Sequence, residues 1–462
     1  MNPTNPKNPS SGTTHVKPQH LLMLTSVYGE HAIGGAERQV AQLSHALVGL
    51  GYRISIVCLG AGYRQISEIA GCLEVYQLPL FQFYDPYQLQ PTSSSPPATP
   101  NPAANPAANG RIRKLLWHGL DVYNPVMAAR FARLLDQLQP DLVMTHPLQG
   151  FSSAVWAAVR ARQLPLAHVL HDHALLCPST TMTRGDQVCE GLCLRCRSFA
   201  SVRKRLSVVP DAIIAPSASV LARHRQFGWF TEVPIAQVIG NALPSDWPAD
   251  QARALTGSLI DAMTDRTAPM VFGFLGRFNS SKGIDTLYAA LQRLRENLLK
   301  NPAMRPVEIR LAGYDESGWA MRLTQLGQLS TDTGHHPVKV TYLGKVQAAE
   351  FLVGLDVLIV PSKAAETFCN VVMEAAACGV PSIVSDQGAL PERIRQGETG
   401  WMFNAGDAEQ LHQQILTCLQ QPEQVCQKAQ AAWALREESH PARKISAYHQ
   451  LIQQLLTDDG AT

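Results

Sequence analysis

Two glutamates eight residues apart open the functional reading. They lie in the run Glu366 to Asp386, ETFCNVVMEAAACGVPSIVSD, among apolar neighbours where a helix and then a strand are expected. A carboxylate just before a helix is stabilised by the N-terminal end of the dipole, which accounts for Glu366. The dipole gives no reason for Glu374, because VVMEAAACGVP is apolar on almost every side. At the helical rise the two acids stand roughly 12 Å apart along the axis. That exceeds the about 5–10 Å of a glycosidase carboxylate pair. It suits one elongated ligand lying along the helix, with hydroxyls at both ends and phosphates between. The N–H groups of the helix start, TFCN, can then meet phosphate or sugar oxygens.

Cations for such a ligand are offered by GRFNSSKG, where Arg277 and Lys282 stand five residues apart around a tight turn. Arginine presents a planar fork to phosphate oxygens and lysine a compact charge. The alternative is two solvated surface cations. In GEHAIGGAER, Gly34 and Gly35 precede a helix, a place where the backbone can approach a phosphate, or where the chain simply turns.

A third constellation is CPSTTMTRGDQVCEGLCLRC, which spaces Cys177, Cys189, Cys193 and Cys196 as C-x11-C-x3-C-x2-C. Thiolates so spaced can surround zinc tetrahedrally and staple a loop that lacks its own core. An iron–sulfur cluster uses four cysteines as well, and four free thiols are the plain alternative. The set leaves no open coordination position, so a zinc here is expected to be structural, and no cofactor is expected for catalysis.

These residues need elements to hold them. The chain has 462 residues with 45% hydrophobic and 16% charged, enough for two or three domains with large cores. The net charge of +2 gives no basis for expecting nucleic acid as a partner. No run reaches the about 18 apolar residues of a spanning helix, and LLMLTSVY is too short for a signal-peptide core, so a cytoplasmic protein is expected. Residues 1–19 read as a disordered tail, and the Pro-rich stretch 90–110 as a disordered insertion.

Strands such as LLMLTSVY, YRISIVCL and PDLVMTH alternate with helical patterns, which implies a parallel sheet covered by helices. The pattern pauses near VPIAQVIGNALPSDW and then repeats with MVFGFLGR, PVEIRLAGY, VKVTYLGK, DVLIVPS and PSIVSD. The expected fold is therefore α/β, with two Rossmann-like doubly wound domains. One spans 20–232 and carries the Cys-rich loop 177–196. The second spans 233–440, and a helix at 441–462 is expected to pack back on the first. Ligands bind outside the carboxyl ends of such strands, here in the cleft that the two domains face across.

Taken together, PSKAAETFCNVVMEAAACGVPSIVSDQGALPE, GETGWMF, GGAER, GRFNSSKG, LAGYDESG, VTYLGKV and GNALP stand in the order seen in the group 1, family 4 retaining glycosyltransferases, which the chain resembles over nearly its whole length. The resemblance implies the GT-B fold. It implies that Glu366 contacts the transferred sugar and Glu374 the nucleotide ribose. Arg277 and Lys282 would bind the diphosphate, Gly34 and Gly35 would face it, and Val346 would lie near the base. Phe368, Cys369, Asn370 and Val371 would line the donor. Thr367 and Cys369 depart from the family in standing where glycines are common.

HVLHDHALLCPS resembles the family segment whose histidine lies at the reaction centre. That role falls to His171 with Asp172 beside it, or to His173, one residue pair along. His146 in MTHPLQG either lines the acceptor side or is a satisfied polar residue. The function implied is transfer of a sugar from a nucleotide-diphosphate donor, with retained configuration, to a saccharide or lipid-linked saccharide acceptor in polysaccharide or lipopolysaccharide synthesis. A sugar-nucleotide epimerase on the same fold and a non-catalytic scaffold of a polysaccharide assembly are the alternatives. RIRKLLWHGL and RKRL offer basic and apolar residues for peripheral contact with the inner face of a membrane, or are solvated surface.

Overall fold

The computed structural model describes residues 18–29, 34–81, 116–184, 187–245, 247, 267–315, 317–328 and 338–458. The expected tail, apart from residues 18 and 19, and the expected insertion at 90–110 lie outside these residues.

β1 (His20–Leu24), β2 (Arg53–Gly60), β4 (Leu73–Pro79), β5 (Leu142–Thr145), β6 (Leu166–Val169), β9 (Ala212–Ala215) and β10 (Ile235–Val238) pair in parallel, with β3 (Arg64–Ile69) as an antiparallel edge. The order is β10-β9-β6-β5-β1-β2-β4-β3. The central strands are buried on both faces, which is why HLLML and LVMT read as unbroken apolar runs rather than as alternations. β7 (Thr183–Arg184) and β8 (Gln187–Val188) form a small separate hairpin.

The second sheet runs β13-β12-β11-β14-β15-β16 and is parallel throughout. Its strands are β11 (Met270–Leu275), β12 (Val307–Ala312), β13 (Val338–Tyr342), β14 (Val357–Val360), β15 (Ser382–Ser385) and β16 (Gly400–Phe403). The strand order reverses between β1 and β5 in the first sheet, and between β11 and β14 in the second. Such reversals open a crevice at the carboxyl ends of the strands. The two domains with these sheets form the GT-B architecture.

The sequence placed the domain boundary before Val233, and the structure moves it. Ile235–Val238 is the edge strand of the first sheet, in register with Ala212–Ala215, so the chain crosses only after Ile239. Its half-buried IAQV pattern is that of an edge strand, which reads weakly in a sequence scan. Five helices matter to the site: α1 (Gly35–Gly49), α2 (Leu194–Lys204), α3 (Ala218–Gln226), α4 (Asn370–Ala377) and α5 (Pro441–Asp458).

α5 returns from the second domain to the first. Its Leu451, Ile452 and Leu455 are buried with Leu21, Met23 and Ile54. Each such side chain contributes about 1.5–3 kcal/mol by leaving water. Gln453 Nε2 donates to Tyr52 Oη at 2.6 Å, fixing the helix along the sheet.

Candidate active site

The loops after β1, β5, β6, β9, β11 and β14 converge where the domains meet. The donor, catalytic and acceptor positions named from the sequence, Val346 apart, lie on these loops or on the helices that follow them. A cavity of about 340 Å³ is lined from the first domain by Gly35, Ala36, His171, Pro216 and Asn241, and from the second by Lys282, Glu366 and the segment Thr367–Val371.

Glu366 is the buried acid of this cavity. Its Oε1 accepts from Lys282 Nζ at 2.7 Å and from Ser362 Oγ at 2.6 Å. Burial alone pushes this carboxyl up, but the Lys282 ammonium and the two hydrogen bonds outweigh it and hold it below its ordinary range. For Lys282 burial works the other way, and the Glu366 charge raises it above its ordinary value. The pair is therefore ionised at neutral pH, with Oε1 of Glu366 engaged by both Lys282 and Ser362.

Lys282 is presented by a 3-10 turn, Ser280–Lys282, capped by Asn279 Oδ1. The turn can press against β14 because residue 283 is glycine. Its φ is 72°, and a Cβ there would fall 1.7 Å from Pro361 O. Gly35 allows the close approach of the two domains, since a Cβ there would stand 2.8 Å from Asn370 Nδ2. Neither Gly34 nor Gly35 has positive φ. Gly34 is the extended N-cap of α1.

The acid pair departs from the expectation drawn from helix rise. α4 begins only at Asn370, so Glu366 lies four residues outside it and the rise rule does not measure its distance from Glu374. The helix starts late because Cys369 holds a left-handed conformation, φ 66° and ψ 74°. This is the position where the sequence carries cysteine instead of glycine, and the backbone keeps the glycine-like turn regardless. Glu374 is inside α4. Burial raises its carboxyl, and Arg38 on α1 is the cation that opposes this. Phe368 packs its ring under the Arg393 guanidinium, 4.3 Å from the ring centre. Val346 packs half-buried on the core around Phe351 and Leu352.

Between the two histidines left open by the sequence, the structure chooses His171 for the cavity. His173 is buried against His224, with ring centres 5.7 Å apart, and bonds to the backbone at Ala365. His171 Nε2 meets His146 Nδ1 at 3.0 Å. Burial holds His171 down to about 4, and His146 is also held well below its ordinary value by burial and then by His171. Both imidazoles are therefore neutral at pH 7, one donating and the other accepting. His146 is not on the polar side of the cleft. With His171 it borders a mostly apolar cavity of about 520 Å³ between α1 and α5.

A polar hollow of about 410 Å³ adjoins the site and is lined by Glu37, Asp121, Gln149, Asp172, Arg203 and Arg277, among others. Arg277 faces this hollow while Lys282 faces Glu366, and the two cations are close enough that Arg277 lowers Lys282. Asp172 accepts from Gln149 Nε2 at 2.9 Å and from Ala174 N at 2.8 Å. Burial nevertheless raises its carboxyl. Glu37 Oε2 is buried with no hydrogen-bond partner among the described residues.

The basic run RKRL does not lie wholly at the surface as expected. Arg203 is buried, pairs with Asp121 at 2.6 Å and donates to Ala174 O at 2.8 Å, so it braces the Asp172 loop. Trp117 and His118 of the other basic run are buried too. Among the described residues no helix is long and apolar enough to cross a membrane.

Sequence reading passed over Ser362, Arg38, Gln149 and Asn241. The only signal for Ser362 was its place as the first polar residue after the apolar strand VLIV. Asn241 Nδ2 donates to Asn370 Oδ1 at 2.7 Å across the domains, which no one-dimensional pattern encodes. The four cysteines gather around one open hollow of about 810 Å³ beside Trp117. Among the described residues no three His, Cys, Asp or Glu side chains stand ready-assembled as metal ligands.

Known proteins can now be set beside this geometry. Residues 33–242 match Glycosyltransferase Family 4, and residues 269–421 match Glycosyl transferases group 1. A protein of the cps region of Klebsiella pneumoniae, itself uncharacterized, is 23% identical over 377 residues, covering 81% of this chain and 87% of its own. Sucrose-phosphate synthase from Thermosynechococcus elongatus superposes with a TM-score of 0.65 at 20% identity, over 95% of this chain and all of the other. Anabaena HepE, solved with UDP and glucose, superposes with a TM-score of 0.61 at 17% identity, over 94% of this chain and 100% of its own.

Proposed function

The chain belongs to the group 1, family 4 glycosyltransferases, and from that membership we propose that it moves a sugar from a nucleoside-diphosphate donor to a saccharide or lipid-linked saccharide hydroxyl, with retained configuration. One observation carries this reading. A buried carboxylate, Glu366, is held by Lys282 and Ser362 in a cavity that both domains close, with His171 and the N–H groups at the start of α4 on its walls.

The diphosphate lies against Lys282, Arg277 and the amides before α4. These stabilise the charge that grows on it as the bond from the anomeric carbon breaks. The free oxygen of Glu366 and the neutral His171 hold sugar hydroxyls, and Glu374 takes the ribose. Because one oxygen of Glu366 is already bound by an ammonium and a hydroxyl, this acid is a poor nucleophile, and no covalent glycosyl-enzyme is needed. Attack and departure on the same face of the ring then keep the configuration. The acceptor occupies the hollow lined by Asp121, Gln149, Asp172 and Arg203, whose polar lining suits a ligand rich in hydroxyls. Asp172, its carboxyl raised by burial, is placed to accept a hydrogen bond from the attacking hydroxyl.

The deciding experiment is a thermal-shift screen across UDP-, GDP- and ADP-sugars, followed by NMR of the product anomer. A ligand present at 100 times its Kd adds about 2.7 kcal/mol to the folded state. A rise with at least one donor, and transfer that retains the anomer, is the expected result. No stabilisation by any nucleotide sugar, or donor rearrangement without an acceptor, overturns the proposal.

A further inference from the structure

We propose that Cys177, Cys189, Cys193 and Cys196 bind one structural zinc ion, which fixes the loop that walls the polar hollow. The fold brings together four cysteines that the sequence spreads over twenty positions. Cys177 ends the turn that follows Asp172, and Cys189 follows the β7–β8 hairpin directly, its N–H bonded to Met182 O at 2.7 Å. Cys193 is the N-cap of α2, and Cys196 lies in its first turn. A hairpin followed by two cysteines at a helix start provides ligands from two sides, as a tetrahedral site requires.

The contacts between the sulfurs point the same way. The Cys196 thiol neighbours both Cys177 and Cys193, and all four cysteines line the same hollow. Arg184 and Arg223 lie close enough to Cys189 to act on its charge, and Arg223 also donates to Cys189 O. Zinc with four thiolates carries a net charge of −2, and these arginines complement it. The sulfurs make pairwise contacts rather than a ready-assembled set.

The segment also needs a staple. Of residues 178–192 only Met182 is fully buried among those described. Thr180 and Met182 hold positive φ, 62° and 50°. Strain of this kind persists only where surrounding structure over-determines the chain. The sulfurs join both ends of this coreless loop to α2. The same helix carries Arg203, which pins Ala174 O and the carboxylate of Asp121. Trp117 and Pro178 line both the cysteine hollow and the polar hollow, so the two share a wall.

The test is metal analysis of the full-length chain, purified without an added chelating tag. The expected result is about one zinc per chain, retained through dialysis against a weak chelator and released when a mercurial titrates the thiols. Refolding with cobalt(II) is expected to give an intense sulfur-to-metal charge-transfer band, which Cys193→Ser weakens. Should that variant fail to fold, the zinc content and cobalt spectrum of the unaltered chain still decide. A metal-free protein with all four thiols titratable overturns the proposal, and so does iron with acid-labile sulfide. None of these readouts uses sugar transfer, so failure here is distinct from failure of the glycosyltransferase reading. On that reading, zinc loss is expected to raise the acceptor KM more than it lowers donor hydrolysis.

Discussion

At the scale of residues, the proposed chemistry turns on one partly enclosed ion pair, Lys282 with Glu366. Lys282 pairs with Glu366 at 2.7 Å, and on the proposed function it faces the leaving diphosphate once a donor binds. Lys282→Ala is expected to lower kcat by about 10²–10³-fold, the usual cost of removing one preorganised stabiliser of developing charge. Steady-state transfer measures it, and a loss under about threefold contradicts the role. Cys369 makes a separate prediction about the backbone. At φ 66° a side chain is strained by about 1–2 kcal/mol, and a β-branched one by more. Cys369→Gly should therefore stay within about 1 kcal/mol of the parent in urea unfolding, its relief offset by the added freedom of the unfolded chain. Cys369→Val should be clearly less stable. Equal stabilities for the two would mean that the turn is not enforced.

At the scale of elements, the domains are held by helix ends rather than by a broad apolar interface alone. α3, in the first domain, has Ser217 as its own cap, and its first amides are also met from the second domain. Ala218 N and Ser219 N donate to the Glu392 carboxylate at 2.9 and 2.7 Å. Ser217 Oγ donates to Thr367 O at 2.8 Å, next to Glu366. A carboxylate at a helix start is doubly favoured, by hydrogen bonds and by the dipole. Glu392→Ala is expected to cost about 1 kcal/mol of stability and to loosen closure, seen as a larger radius of gyration in small-angle scattering. An unchanged radius would show that the latch does not hold the closed form. The strand ends bearing these residues were legible in the sequence, because buried parallel strands read as apolar runs that stop at a polar residue. The start of α4 was not, because left-handed cysteine at position 369 breaks a helical pattern that continues unbroken in the letters.

At the scale of the whole molecule, the first domain buries a cluster of neutral bases. His168 and His173 are held down to about 3, and His171 and His224 to about 4, in each case first by burial. Their partners add to this. His168 feels His171 and His224, and His173 feels His224 and Arg223. A base whose pKa is depressed in the fold takes up its proton first in the unfolded chain. Stability is thus intact above the ordinary histidine range, near 6.5, and is lost as pH falls toward the folded values. The loss can reach about 1.4 kcal/mol per pH unit for each such histidine. The melting temperature should fall steadily from pH 7 to pH 5, and a flat profile over that interval contradicts the burial of the cluster as neutral bases.

The sequence by itself determined the class of the fold and the doubling of the domain, and it named most of the residues that line the cavity between the domains. Those depend on local pattern: apolar strands, the polar residues that end them, and a cation pair on a short turn. Tertiary structure alone decided that His171 rather than His173 enters the cavity, that Arg203 is a buried brace, and that Ile235–Val238 belongs to the first sheet. It alone paired Lys282 with Glu366, eighty-four positions apart. The reason is physical. A side chain's charge state and partners are set by what is excluded from water around it, and in this protein the excluding surfaces come from segments that meet only when both domains have folded and closed.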